Sequence, residues 1–155
     1  MIILPITLTI AGAAALLNLW LGQRVGKMRM AHKVSIGDGG HEPLITRMRA
    51  QANYVEYTPF FLILLALVEL AIGSPLWLWI LAILYILGRI IHMFGMDQPP
   101  PSRLRMIGII VTMLCLLGLA CYAIAIPYLE RGKPATITYA WADSAAGSAS
   151  AANAG

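Results

Sequence analysis

Four long apolar runs separated by short polar stretches set the pattern of this chain, at roughly residues 2–21, 50–72, 76–96 and 106–129. As a helix rising about 1.5 Å per residue, each is long enough to cross the ~30 Å hydrocarbon core of a bilayer. The pattern predicts an all-α integral membrane protein, a four-helix bundle. Between the runs lie one long basic loop, the tight turn Gly73-Ser74-Pro75, and the short loop Asp97-Gln98-Pro99-Pro100-Pro101-Ser102-Arg103, stiffened by its prolines. Past residue 130 the sequence turns to Ala, Ser and Gly, which divides the chain into a four-span domain, 1–130, and a flexible tail, 131–155.

With 59% hydrophobic and only 12% charged residues, the composition excludes an ordinary soluble domain. Arg24, Lys27, Arg29, Lys33, Arg47 and Arg49 belong to the first loop or its margins, Arg103 and Arg105 to the third, and the second turn has no charge. The excess of Lys and Arg places both charged loops in the cytoplasm and both termini outside it. The formal charge of +4 is thereby accounted for by topology, and no nucleic-acid partner is expected. Residues 1–21 lack a basic leading region and their apolar run is too long for a signal peptide, so they read as an uncleaved first span. Cys115 and Cys121 are six residues apart in one span, which separates them by about 9 Å along a helix and rules out a bond between them. They carry no metal signature.

The second run is interrupted by polar side chains in a regular order. Arg49, Asn53 and Glu56 are spaced i, i+4, i+7 and form one stripe on a helix, with Tyr57 beside it and Gln51 on another side. A charge at bilayer depth costs roughly 2.5–3.5 kcal/mol, so these groups must face protein, a partner charge or a ligand. If the second and third spans form a hairpin mirrored about residue 74, Glu56 is level with His92 and Pro59 with Arg89. A buried Glu56–Arg89 pair with His92 beside it is then the cheapest arrangement. Whether Glu56 serves structure or a ligand stays open at this point. Pro59 frees the carbonyl of Val55 and bends the helix just past the cluster. Glu69, near the outer end of its span, can reach the interface and is given no role. Asn18 reads as a helix–helix hydrogen bond, and Gly12-Ala13-Ala14-Ala15, Gly108 and Gly118 as points of close helix contact. Gly37-Asp38-Gly39-Gly40 reads as a turn or lid, since no strand precedes it and no Gly-Lys-Ser/Thr follows.

Two of these segments resemble a known family. Arg49-Ala50-Gln51-Ala52-Asn53 with Glu56-Tyr57 and Pro59 is similar to the second-helix signature of the MAPEG family, the membrane-associated proteins in eicosanoid and glutathione metabolism. Gly88-Arg89-Ile90-Ile91-His92, followed by a Pro-rich loop and Arg103, is similar to the third helix end and loop of its microsomal glutathione S-transferases. The Gly-Asp-Gly-Gly segment points to the bacterial branch and its inner membrane. The resemblance implies a homotrimer of four-helix subunits that holds glutathione between neighbours near the cytoplasmic face. By motif, Arg49, Asn53, Glu56 and Tyr57 would grip the tripeptide, with Gln51 reaching the adjacent subunit's site. Arg29 would clamp a carboxylate, and Arg103 would be the catalytic residue that stabilises the glutathione thiolate. His92 stands with Met96 at the third-helix end, where leukotriene-forming members have tyrosines near the ligand.

The implied function is a glutathione-dependent transferase or peroxidase acting on lipophilic small-molecule electrophiles drawn from the lipid bilayer, with glutathione as co-substrate. The alternative is a non-catalytic binding or scaffold protein of the same fold. A small four-helix drug exporter is disfavoured because the first span has no carboxylate. Single cysteines placed at Ser35 and at Ser148 are expected to react with an impermeant thiol reagent from opposite sides of intact cells; labelling of both from one side overturns the four-span topology.

Overall fold

The computed structural model describes residues 3–99 and 101–129, so the tail assigned to 131–155 lies outside the described residues. Four helices follow one another: α1 (Pro5–His32), α2 (Glu42–Ile72), α3 (Leu76–Met96) and α4 (Arg103–Leu129). All four are long and apolar enough to span a membrane, and there is no strand among the described residues. α3 and α4 keep close to the expected limits. α1 instead runs on to His32 and α2 begins at Glu42, so both project beyond their apolar stretches. Hydropathy marks only the part of a helix that sits in hydrocarbon, and the Gln, Arg, Lys, Met and Ala residues of these extensions are good helix formers in water.

The connection between α1 and α2 is correspondingly short. Lys33 closes α1 in the left-handed conformation, and Gly37, Gly39 and Gly40 all have positive φ, which favours glycine there. The Gly40 N–H donates to Asp38 Oδ1 at 2.9 Å, so the Gly-Asp-Gly-Gly segment is a turn.

α3 packs most extensively on α4, and α1 on α2, while α2 and α3 make the smallest interface despite sharing a turn. Missing side chains are the cause. A Cβ at Gly95 would lie 2.0 Å from the backbone nitrogen of Arg105, and one at Gly108 would lie 2.4 Å from that of His92. Gly88, His92 and Gly95 recur at i, i+4, i+7, so one face of α3 presents its backbone to α4. Gly118 and Gly12, expected as further contact points, have nothing within 4 Å of an added Cβ.

The larger apolar core lies toward the α2–α3 turn, where Phe61, Leu65 and Val68 of α2 meet Leu78, Ala82 and Tyr85 of α3 with Ile6 and Leu119. The rings of Phe61 and Tyr85 stack at 3.7 Å. At this end Glu69, 1% exposed, does more than reach the interface. Its carboxylate accepts the N–H groups of Ile6 and Thr7 at 2.9 and 2.8 Å, and the hydroxyls of Thr7 and Ser74 at 2.7 Å each. Pro5 has no N–H to satisfy, so α2 supplies the acceptor that the first turn of α1 lacks in its own sequence.

The glycine contact sets a direct test. Gly108→Ala is expected to force α3 and α4 apart and cost on the order of 1–3 kcal/mol, whereas Gly118→Ala stays within about 0.5 kcal/mol of the wild type. Thermal unfolding in detergent checks this; equal melting temperatures for the two variants would overturn the close α3–α4 contact.

Candidate functional site

The polar stripe of α2 opens at the end of the bundle that carries the charged loops. There, Arg49, Asn53 and Glu56, one above the other on successive turns, line a cavity of about 150 Å³ with Ala52, Met96 of α3 and Arg105 of α4. Arg105 reaches it because the Gly95 and Gly108 contacts hold the start of α4 against α3, and because His92 Nδ1 lies 3.1 Å from the Arg105 carbonyl. That carbonyl can only accept, so the imidazole carries its proton on Nδ1. Among the described residues the side chains of Arg49, Glu56 and Arg105 form no hydrogen bond or ion pair with one another or with anything else, which leaves all three available to a ligand.

Behind the cavity lies Arg89, only 2% exposed. It donates from Nη2 to Asn53 Oδ1 at 3.0 Å, and its guanidinium sits 5.4 Å from the centre of the Tyr54 ring. Its Nε and Nη1 have no partner among the described residues. The expected Glu56–Arg89 pair is therefore replaced by an Asn53–Arg89 bond, and Glu56 is exposed. Mirroring about the turn assumed that α2 and α3 face each other; α3 leans on α4 instead, and the long Arg89 side chain meets α2 one turn nearer the loops.

The other expected site residues do not line this cavity. Arg29 is turned to its own loop, donating from Nη1 to the Gly37 carbonyl at 2.8 Å and from Nη2 to Met48 Sδ at 3.6 Å. Gln51 packs against α1, where its Nε2 lies 3.3 Å from a Cβ position at Gly22. Tyr57 is half-buried and His92 buried, and neither lines the cavity. Arg103 is exposed and opens on a different hollow, formed with Pro101, Ser102, Met106 and Ile109 and also bordered by Arg105. Arg49 in turn borders a second hollow of about 350 Å³ with Asp38, Ile45 and Met48. Arg24 is ion-paired with Asp97, tying α1 to the end of α3. No cluster of metal-ligating side chains occurs among the described residues.

Sequence reasoning passed over Arg105. Two residues apart on a helix, Arg103 and Arg105 leave the backbone in different directions, and only Arg105 lines the polar cavity, although both border the hollow at the start of α4. The signal that would have chosen is the glycine pattern of α3 and α4, which fixes the rotation of α4.

Four spanning helices and a polar stripe gathered at their loop end describe an integral membrane protein, and a family comparison gives the class. Residues 7–125 match the MAPEG family model, and the chain belongs to that family. The inner membrane protein YecN of Escherichia coli strain K12 is 34% identical over 83 residues, which are 53% of this chain and 63% of that protein. YecN of Escherichia coli O6:H1 matches to the same extent. The matched segment thus spans less than two thirds of either relative's length.

The Asn53–Arg89 bond yields a thermodynamic test. In a double-mutant cycle, Asn53→Ala and Arg89→Met are expected to couple by about 1–3 kcal/mol, while Glu56→Gln and Arg89→Met add with little coupling. Coupling confined to the Glu56 cycle would reverse the assignment.

Proposed function

We propose that this protein is a glutathione-dependent transferase or peroxidase of the bacterial inner membrane that acts on lipophilic electrophiles. The observation that carries the reading is the single cavity shared by Arg49, Asn53, Glu56 and Arg105. Two guanidiniums against one carboxylate leave the cavity cationic. Glutathione, with two carboxylates and one ammonium, is its electrostatic complement, and the Asn53 amide suits a peptide group.

A cavity of about 150 Å³ is smaller than the ~300–1,000 Å³ usual for a ligand of this size. A neighbouring copy would complete it, and a closed homotrimer is the assembly we propose, with the tripeptide held between subunits. Within one subunit, Arg105 is the guanidinium placed to stabilise the thiolate. Arg103, expected in that role from the sequence, would serve it from a second copy, as would Gln51 if it left its own α1. Arg29, Tyr57 and His92 belong to the surround of the proposed site: Arg29 holds the loop, and His92 positions Arg105.

The chemistry asked of the guanidinium is modest. A free thiol with a pKa near ~8.5 is only a few per cent thiolate at neutral pH, and the thiolate is the nucleophile. A guanidinium within hydrogen-bond reach and partly shielded from water lowers that pKa by about one to two units, worth roughly 1.4–2.7 kcal/mol. Arginine stays charged throughout the relevant range, which histidine does not.

Calorimetric titration of glutathione, followed by thiolate absorbance between about pH 6 and 9, tests the reading. The wild type is expected to bind glutathione and lower its thiol pKa, and Arg105→Leu to bind it with the shift lost. An unchanged shift in Arg105→Leu that disappears in Arg103→Leu assigns activation to a second copy. Binding without any shift in the wild type leaves the non-catalytic binding protein as the function, the reading favoured by the engagement of Arg29 with its own loop. No binding at all overturns the proposal.

A further inference from the structure

The largest of the hollows described at the loop end shares Arg105 with the polar cavity of its own subunit, and it also includes Arg103, which the proposed function brings to that cavity only from a second copy. It measures about 420 Å³ and is walled by Pro101, Ser102, Arg103, Arg105, Met106 and Ile109. Arg103 and Arg105 are exposed, and neither guanidinium has a hydrogen-bond or ion-pair partner among the described residues. The nearby carboxylate of Asp97 is already engaged by Arg24. The Ser102 hydroxyl is engaged as well, donating to Gln98 Oε1 at 3.1 Å and accepting from the Arg105 N–H at 3.3 Å. The hollow is left with two free positive charges and no free negative one.

Directly beyond these charges the surface of α4 becomes wholly apolar. Met106, Ile110, Leu114 and Leu117 are 58, 49, 63 and 61% exposed, and their spacing of four, four and three residues puts them on one strip of the helix. From 106 to 117 that strip runs about 16 Å, close to half of the ~30 Å hydrocarbon core, which is the depth of one leaflet. A cationic hollow at the head of a one-leaflet apolar track matches both halves of one amphiphile.

We propose that this hollow and strip form a binding site for an anionic phospholipid of the leaflet at the loop end. Its phosphate and anionic head lie between Arg103 and Arg105, and one acyl chain follows Met106, Ile110, Leu114 and Leu117. A zwitterionic head would bring its own cation toward two guanidiniums with no carboxylate to receive it, so the site selects net negative charge. A soluble anion would use the hollow but gain nothing from the strip. The expected topology puts this leaflet on the cytoplasmic side, and the site does not depend on glutathione binding. Because Arg105 borders both hollows, the lipid head also forms part of the wall next to the polar cavity.

The test uses the full chain, delipidated in mild detergent and examined by native mass spectrometry with phosphatidylglycerol, phosphatidylcholine of the same chains, and glycerol phosphate. The wild type is expected to retain phosphatidylglycerol over phosphatidylcholine by roughly ten- to thirtyfold, as two basic groups at a lipid head allow. The Arg103→Gln/Arg105→Gln double variant is expected to fall to parity. Leu114→Asn/Leu117→Asn is expected to weaken retention of both lipids while keeping the preference between them. Should the double arginine variant misfold, Arg103→Gln alone is expected to lose part of the preference at an unchanged melting temperature. Equal retention of the two lipids by the wild type would reduce the arginines to interfacial anchors and overturn the proposal. So would a preference that survives both arginine variants, displacement of the lipid by glycerol phosphate, or exclusion of lipid from this face by a second copy of the chain.

Discussion

Hydrocarbon offers no hydrogen-bond partner, so polar groups that enter the membrane are driven to find one inside the bundle, and this constraint accounts for the long-range polar contacts between the helices. Asn18 Oδ1, expected to bond across helices, and Arg89 Nε and Nη1 nevertheless have no partner among the described residues. At the turn end, the Glu69 carboxylate receives the first free N–H groups of α1 and so fixes α1 to α2. In the middle, the Tyr54 hydroxyl donates to the Ala14 carbonyl at 2.8 Å and the Tyr85 hydroxyl to Thr58 Oγ1 at 3.3 Å. Toward the loops, Arg89 finds Asn53 and the face of the Tyr54 ring. Apolar packing is a weak guide to register where lipid tails are as apolar as leucine side chains, and polar pairs supply the register instead. Along α2 these groups stand at Asn53 and Tyr54, at Thr58 one turn on, and at Glu69 about three turns beyond that. α2 is therefore the element against which the other three are set.

Backbone contact adds the second constraint. Gly95 and Gly108 let α3 and α4 approach until main chain meets main chain, which also aligns His92 with the Arg105 carbonyl. The consequence reaches the site. α4 cannot turn about its axis without driving a Cα into the backbone of α3, so the side on which Arg105 emerges is fixed by two residues that have no side chains. The polar cavity thus depends on α2 for three of its groups and on a glycine contact for the fourth.

The number and type of helices were legible in the sequence because hydrocarbon thickness imposes a length and a composition that no soluble helix needs. The stripe of Arg49, Asn53 and Glu56 was legible for a similar reason, since charges inside an apolar run must share a face that is not lipid. Helix ends were less so: α1 continues to His32 because helix propensity outlasts hydrophobicity. Helix pairing was hidden. Symmetry about the Gly73-Ser74-Pro75 turn gave Arg89 to Glu56, but a turn fixes only sequence neighbours, and the extent of contact was decided by glycines on α3 and α4. Glu69 was misplaced because a carboxylate near a span end reads as an interfacial group; its capping of α1 depends on which helix stands beside it, information that lies 62 residues away along the chain.

Arg105 also marks where two solvents meet. On one side of it the cavity is walled by Arg49, Asn53 and Glu56 and open to water-soluble groups; on the other, Met106 and Ile109 lead to the lipid-facing surface of α4. Few residue types can occupy such a boundary. A carboxylate would repel both thiolates and phosphates, and a lysine would present one compact charge to one side at a time. A guanidinium carries planar donors in several directions and remains charged whatever its surroundings. The same placement makes its cost tolerable, because an arginine at the head of a span keeps its charge in the interfacial layer while its stem lies against apolar wall. The reaction we propose, which joins a polar nucleophile to a lipophilic partner, would need such a boundary, and the rotation of α4 decides where Arg105 stands along it.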